Sequence, residues 1–277
     1  MLVVGFTYVE NQQRMEFEAI CHRVVDLSRE VAAFIQEERS SFSNDAVEAK
    51  TLNNFVTHVD KEAERRFVDG LRSLLPDAGF ITEEGTSTER GDVFNWIIDP
   101  LDGTTNYIHG IPFYCTSIAL MREKEVVIGV VLEVNRDECF YAWHEGPAYL
   151  NGQKIEVGNA EKLTDALLAT GFPYDDFGRE NEYMELLKHL TNNCRGLRRL
   201  GSAAADLVYT AIGRFEGFYE YGLNSWDVAA GAFIVERAGG KVSDFKGGRE
   251  HIFGEEILAT NGRIHEELLE VVQQHFK

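Results

Sequence analysis

The stretch that most constrains this chain is Asn95-Trp96-Ile97-Ile98-Asp99-Pro100-Leu101-Asp102-Gly103-Thr104-Thr105-Asn106, where an apolar run gives way at once to an acidic turn. Val93 to Ile98 is short and rich in β-branched and aromatic residues, which predicts an interior strand whose carboxyl end opens into a crevice. Pro100 fixes its own φ and lacks an N–H, so the strand is expected to end abruptly there and turn Asp99 and Asp102 toward one point. Two such carboxylates repel each other unless a cation lies between them. Gly103 permits close backbone approach, and Thr104 and Thr105 offer hydroxyls and amides at the start of a short helix, an arrangement suited to an anion. Asp, Pro and Gly are also ordinary turn residues, and an acidic surface turn is the plainer reading of this stretch taken alone. Other acids in the chain must decide.

A chain of 277 residues with 44% hydrophobic content can bury a large core, either as one α/β unit or as two fused sheet layers. Its formal charge of −19 argues against non-specific binding to nucleic acid or anionic membrane. An acidic chain that handles phosphate needs metal ions to reverse the local sign. Cys21, Cys115, Cys139 and Cys194 are scattered without metal-ligand spacing, as buried thiols of a reducing compartment would be. No signal peptide or membrane-spanning run is read, so a soluble cytoplasmic protein is expected.

From Met15 to about Arg39, apolar residues recur at helical spacing and predict a long amphipathic helix. Ser40 to Asn54 reads as a polar loop carrying Lys50, either a surface lysine or one able to close over an anion. Phe55 to Asp60 reads as a strand entering a helix with Asp60 as N-cap, its buried stripe running through Ala63, Phe67, Leu71 and Leu74 to a stop at Pro76. Gly79 to Gly85 is a short strand ending in Glu83 and Glu84. Strand alternation lets only one of these point straight into a site, and spacing does not say which. Phe113 to Met121, Val126 to Val134 and Glu138 to Trp143 suggest an antiparallel meander, followed by a tight turn at Leu150-Asn151-Gly152-Gln153. The last third alternates between strands and helices, as in an α/β domain. There Asp227 falls in the first turn of a helix, where the macrodipole favours a carboxylate whether or not a metal is near. No repeat or linker divides the chain. One unit spanning 1–277 is expected, with a soft boundary near 145–152 between a helix-and-meander part and an α/β part.

Taken together, the acidic pair after a strand, Trp-Ile-Ile-Asp-Pro-Leu-Asp-Gly-Thr-Thr-Asn, and Trp-Asp-Val-Ala-Ala-Gly followed by Ala-Gly-Gly resemble the inositol monophosphatase family, particularly its bacterial members, from about Phe17 to the end. The resemblance implies a layered α/β fold, an αβαβα sandwich, and a homodimer. It implies that Glu83, Asp99 and the Leu101 carbonyl hold one Mg²⁺ while Asp99, Asp102 and Asp227 hold a second, with Glu84 supporting. Gly103 and Thr104 match phosphate-binding amides. Asp60 matches an acid that pairs with Thr104 to orient the attacking water. Lys50 resembles the family's loop lysine at slightly different spacing. Ala203 and Glu220 fall, with Asp102 and Asp227, where the family contacts substrate. Asn54 and Ser202 depart from some members, which have an acid and a threonine there.

The implied activity is Mg²⁺-dependent hydrolysis of a small phosphate monoester, without a covalent intermediate. Mg²⁺ prefers carboxylate, carbonyl and water oxygens, all of which this set supplies. A myo-inositol monophosphate is the leading substrate, ahead of histidinol phosphate, fructose 1,6-bisphosphate and a 3′-phosphonucleotide. Li⁺ inhibition is implied as well. A different class of function is a binding role in transcription complexes, without direct nucleic-acid contact.

Overall fold

The computed structural model describes residues 2–41, 47–49, 55–173 and 178–276. The N-terminal amphipathic segment forms α1 (Leu2–Ser41), which begins well before the expected Met15 because no proline or other stop signal precedes that residue. The polar span after it holds a short strand that periodicity does not reveal, β1 (Val47–Ala49), paired antiparallel with β2 (Phe55–Thr57). Lys50 and Asn54 lie outside the described residues. Then follow α2 (His58–Leu74) and β3 (Gly79–Thr82).

The central run forms β4 (Phe94–Asp102), and here the structure corrects the sequence reading. The strand does not stop at Asp99. It carries on to Asp102 through an irregularity in its pairing with β5 (Cys115–Arg122), in which Asp99 stands opposite Ser117 and Asp102 opposite Cys115. One extra residue on β4 makes this a bulge, which accommodates the N–H that Pro100 cannot donate to the ladder. Gly103, at φ +98°, then starts α3 (Thr104–His109). The meander continues as β6 (Glu125–Glu133), β7 (Glu138–Trp143) and the hairpin β8 (Tyr149–Leu150) and β9 (Gln153–Lys154). Strands β3 to β9 form one sheet in chain order, with only the β3 and β4 pair parallel.

The second half comprises β10 (Leu167–Thr170), α4 (Glu180–Asn193), β11 (Gly196–Arg198), α5 (Ala203–Ala211), β12 (Gly217–Tyr221), α6 (Ser225–Arg237), β13 (Lys241–Ser243), β14 (Glu256–Thr260) and α7 (His265–His275). Its sheet runs β11-β10-β12-β14-β13. The pairs of β10 with β11 and β12 are parallel, whereas β14 runs antiparallel to its neighbours.

Strand alternation stacks these elements into layers. Trp96, Ile98, Ile118 and Leu120 on one face of the first sheet pack with Val24, Ile35, Phe67 and Leu71 of α1 and α2. Ile97, Ala119 and Val131 on the other face share a cluster with Leu207 and Val208 of α5, Val228 and Ile234 of α6, and Ala169, Phe218 and Ala259 of the second sheet. The far face of that sheet, with Leu168, Tyr219 and Leu258, packs on Leu186 of α4 and Leu268 of α7. The order is therefore helix, sheet, helix, sheet, helix, the αβαβα sandwich expected. At the α5–α6 contact, a Cβ on Gly231 would lie 2.6 Å from Leu207 Cβ, so the small Ala-Ala-Gly run is what lets these helices touch. Among the described residues no helix is long and apolar enough to cross a membrane.

Candidate active site

Asp99 follows Ile97 on the face of β4 that looks toward α6, and the bulge brings Asp102 to the same rim. Asp99 is 2% exposed and its Oδ1 accepts the Leu101 amide at 3.0 Å. Asp102 is tied to the start of α5, where Oδ2 accepts the Ser202 hydroxyl at 2.8 Å and the Ala204 amide at 2.7 Å. Ser202 itself caps α5 through the Ala205 amide. Two helix N-termini thus seat acids at this rim, because Asp227 closes the capping box of α6 by accepting the Asn224 amide at 2.6 Å.

Glu83, Asp99, Leu101, Asp102, Gly103, Thr104, Ala203, Glu220 and Asp227 all line one pocket of about 240 Å³. That is small beside the roughly 300–1,000 Å³ of a drug-sized site, as suits a compact ester. Of the two adjacent acids it is Glu83 that lines the pocket. Glu84 instead gives its amide to Glu64. The first amides of α3 have no side-chain cap.

Asp60 does not line the pocket but reaches it through Thr104, whose hydroxyl donates to Asp60 Oδ1 at 3.0 Å. The same hydroxyl lies 3.0 Å from the Leu101 carbonyl, and its single proton serves one acceptor at a time. The expected N-cap is corrected here. Thr57 caps α2, and Asp60 sits three residues on, closing the capping box through the Thr57 amide at 2.8 Å and hydroxyl at 2.6 Å. Its Oδ1 is thereby left for Thr104.

The electrostatics follow from burial. Burial pushes the Asp99 carboxyl well above its ordinary range, and the charges of Glu83, Asp102 and Asp227 push it further. Burial raises Asp102 to about 6 against the pull of the Ala204 amide and the Ser202 hydroxyl. Asp227 is raised by burial and then by Asp102. Asp60 is raised by burial despite its bonds to Thr57 and Thr104. Among the described residues, no three His, Cys, Asp or Glu side chains are grouped closely enough to hold a metal ion. The donor chemistry nevertheless suits a hard divalent cation. The acids raise one another's pKa, and Asp99 and Asp102 each commit a single oxygen to the protein.

Sequence reasoning missed Glu64 and Asp206. Glu64 is fully buried, and its carboxylate accepts the Glu84 amide at 2.7 Å, the Thr86 amide at 2.8 Å and the Thr86 hydroxyl at 2.7 Å. It straps the segment that follows Glu83. The signal was its position four residues after Asp60, on the same helical face. Asp206 lines the pocket as the lone charged residue of α5.

The inositol monophosphatase family model matches residues 17–277. An inositol-1-monophosphatase of Rhizobium meliloti is 40% identical over 229 residues, 82% of this chain and 86% of that protein. The Nus factor SuhB of Pseudomonas aeruginosa is 41% identical over 235 residues, 83% of this chain and 87% of the relative. A solved structure of the extragenic suppressor protein suhB from Bartonella henselae superposes with a TM-score of 0.88 at 33% identity, covering 92% of this chain and 99% of that one.

Proposed function

The chain belongs to the inositol monophosphatase family of metal-dependent phosphatases, and on that footing we propose that it hydrolyses a small phosphorylated polyol, with myo-inositol 1-phosphate as the leading substrate and Mg²⁺ as the cofactor. The observation that carries this reading is the single pocket lined by Glu83, Asp99, Asp102 and Asp227, beside a Thr104 hydroxyl bonded to Asp60. In the proposal Glu83, Asp99 and the Leu101 carbonyl hold one Mg²⁺, and Asp99, Asp102 and Asp227 hold another. Bound there, the ions would supply charge neutralisation for the phosphoryl group and the departing alkoxide and would lower the pKa of a water.

The protein's own groups do the rest. The Thr104 hydroxyl donates its hydrogen bond to Asp60, which leaves its oxygen to accept one from the attacking water, and a cation at the Leu101 carbonyl would remove that carbonyl as the competing acceptor. The uncapped amides at Gly103 and Thr104 receive phosphate oxygens. Ala203 and Glu220 meet the alcohol. Li⁺ inhibition, a homodimer and a cytoplasmic setting belong to the same reading.

The test is a panel of myo-inositol 1-phosphate, histidinol phosphate, fructose 1,6-bisphosphate and a 3′-phosphonucleotide, assayed with and without Mg²⁺. Fastest release from the inositol ester, abolished by chelation, is expected. Failure to hydrolyse any of them with Mg²⁺ present defeats the reading.

Glu64 provides a second check as a positioning residue. Glu64→Gln sets an amide against an N–H that the carboxylate now accepts, at a cost of about 1–3 kcal/mol in the loop behind Glu83. The expected outcome is a fall in kcat/KM of about tenfold with a raised Mg²⁺ half-saturation. If turnover falls while the Mg²⁺ requirement stays put, the strap does not act through Glu83.

One relative carries the name Nus factor, which supports a second reading in which this chain also binds a transcription complex through protein contacts. Pull-down with RNA polymerase, comparing wild type with Asp99→Asn, separates the two. Equal capture by both proteins identifies binding independent of catalysis, and no capture removes this reading.

A further inference from the structure

Helix α5 reads Ala203-Ala204-Ala205-Asp206-Leu207-Val208-Tyr209-Thr210-Ala211, and every one of these residues is buried. Asp206, the only charged residue in that run, is 1% exposed, and its Oδ1 has no hydrogen-bond partner among the described residues. A buried polar atom without a partner costs about 1–3 kcal/mol, more where the group is charged, so its retention calls for a cause.

Helix capping does not supply one. The start of α5 is already satisfied by Ser202, which accepts the Ala205 amide, and by Asp102, which accepts the Ala204 amide. The backbone of Asp206 is occupied as well, its amide bonded to the Ser202 carbonyl and its carbonyl to the Thr210 hydroxyl. Only the carboxyl is unexplained, and it lines the same pocket as Glu220 and Asp102. After burial itself, the charges of Glu220 and Asp102 raise this carboxyl's pKa while Arg199, on the same pocket lining, lowers it. Glu220 is in turn seated against bare backbone, since a Cβ on Gly171 would fall 2.0 Å from its Oε2.

We propose that Asp206 is a second alcohol-recognising acceptor beside Glu220, so that the pocket selects phosphate esters whose alcohol carries several free hydroxyls. A ligand hydroxyl donates to the otherwise unpartnered oxygen, and an ester without such hydroxyls leaves it buried and unmatched. The inference rests on the phosphatase reading above and deepens it.

The test compares myo-inositol 1-phosphate with cyclohexyl phosphate, an ester of similar shape that lacks the hydroxyls. The wild type is expected to favour the inositol ester in kcat/KM by at least about 100-fold. In Asp206→Ala, kcat/KM for the inositol ester falls about 10- to 100-fold, while the value for cyclohexyl phosphate changes less than about threefold. Asp206→Asn, which keeps an acceptor oxygen in place, restores much of the preference. Equal losses on both esters in Asp206→Ala identify a merely structural carboxyl and overturn the inference. Wild-type turnover of both esters at similar efficiency also overturns it, whatever the variants do, and leaves the phosphatase reading standing. Hydrolysis of neither ester by the wild type with Mg²⁺ removes both.

Discussion

Replacing Asp99 with Asn is expected to reduce phosphate release at saturating Mg²⁺ by about a thousandfold, while making the metal-free protein more resistant to heat. The two effects share one cause. Asp99 is 2% exposed, and the charges of Glu83, Asp102 and Asp227 all bear on it. In the proposed mechanism it is the acid common to both ions, so neutralising it weakens the whole electrostatic arrangement, on the scale of about 4 kcal/mol for a thousandfold change. Without metal the same negative charge is a liability, because a buried carboxylate among like charges is costly. Asn keeps an oxygen for the Leu101 amide, so the local turn survives. Steady-state kinetics and melting curves in a chelator check both halves. Turnover near wild type at saturating Mg²⁺ would falsify the role of Asp99.

A second large effect concerns pH. Burial raises the carboxyls of Asp60, Asp99, Asp102, Asp206, Glu220 and Asp227 above their unfolded values. Between the unfolded value near 4 and the folded value, the folded protein holds more protons than the unfolded chain. The stability these carboxyls contribute to the metal-free protein therefore falls as pH rises through that window, outweighing the opposite trend of the two buried histidines, His251 and His265, which burial lowers. For Asp102 the rise from 3.8 to about 6 spans about two units. At about 1.4 kcal/mol per unit, this amounts to at most about 3 kcal/mol, since Asp102 keeps some contact with solvent. In a chain of this length that lowers the melting temperature by roughly 5 °C. A cation that binds the ionised acids reverses the trend, so added Mg²⁺ is expected to raise the melting temperature more near pH 8 than near pH 5. Melting curves across that range, with EDTA and with Mg²⁺, make the comparison. A chelated protein that grows more stable from pH 4 to 7, or a Mg²⁺ gain independent of pH, would contradict this account.

Much of the molecule was legible along the chain because periodicity reports burial directly. The meander, the Asn151-Gly152 turn and the strand–helix alternation after Leu167 stand where apolar spacing and turn residues put them. The acids of the pocket stand at strand ends and helix starts, but it is the family resemblance rather than their spacing that implies they share one site. What escaped depended on contacts between distant segments. The bulge in β4 is defined against β5 rather than by Pro100 alone. Asp60 appeared to be a cap because Thr57, three residues earlier, is also a capping residue, and only coordinates show which oxygen each acid commits. Glu64 and Asp206 were passed over because neither stands in a turn or at the end of an element. Their importance lies in what they touch or fail to touch, which no local pattern encodes.

Asp99 and Asp102 hang from the first sheet, whereas Glu220 belongs to the second, and α5 and α6 lie between them. In the proposed reading, Asp99 and Asp102, which would hold metal, and Glu220, which would meet the alcohol, therefore hang from different sheets joined through one shared core. On the proposed function, substitutions around β12 redirect which alcohol is admitted while Asp99 and Asp102 keep their own supports on β4. Such a layout gives a lineage freedom to diversify its diet without having to rediscover its chemistry.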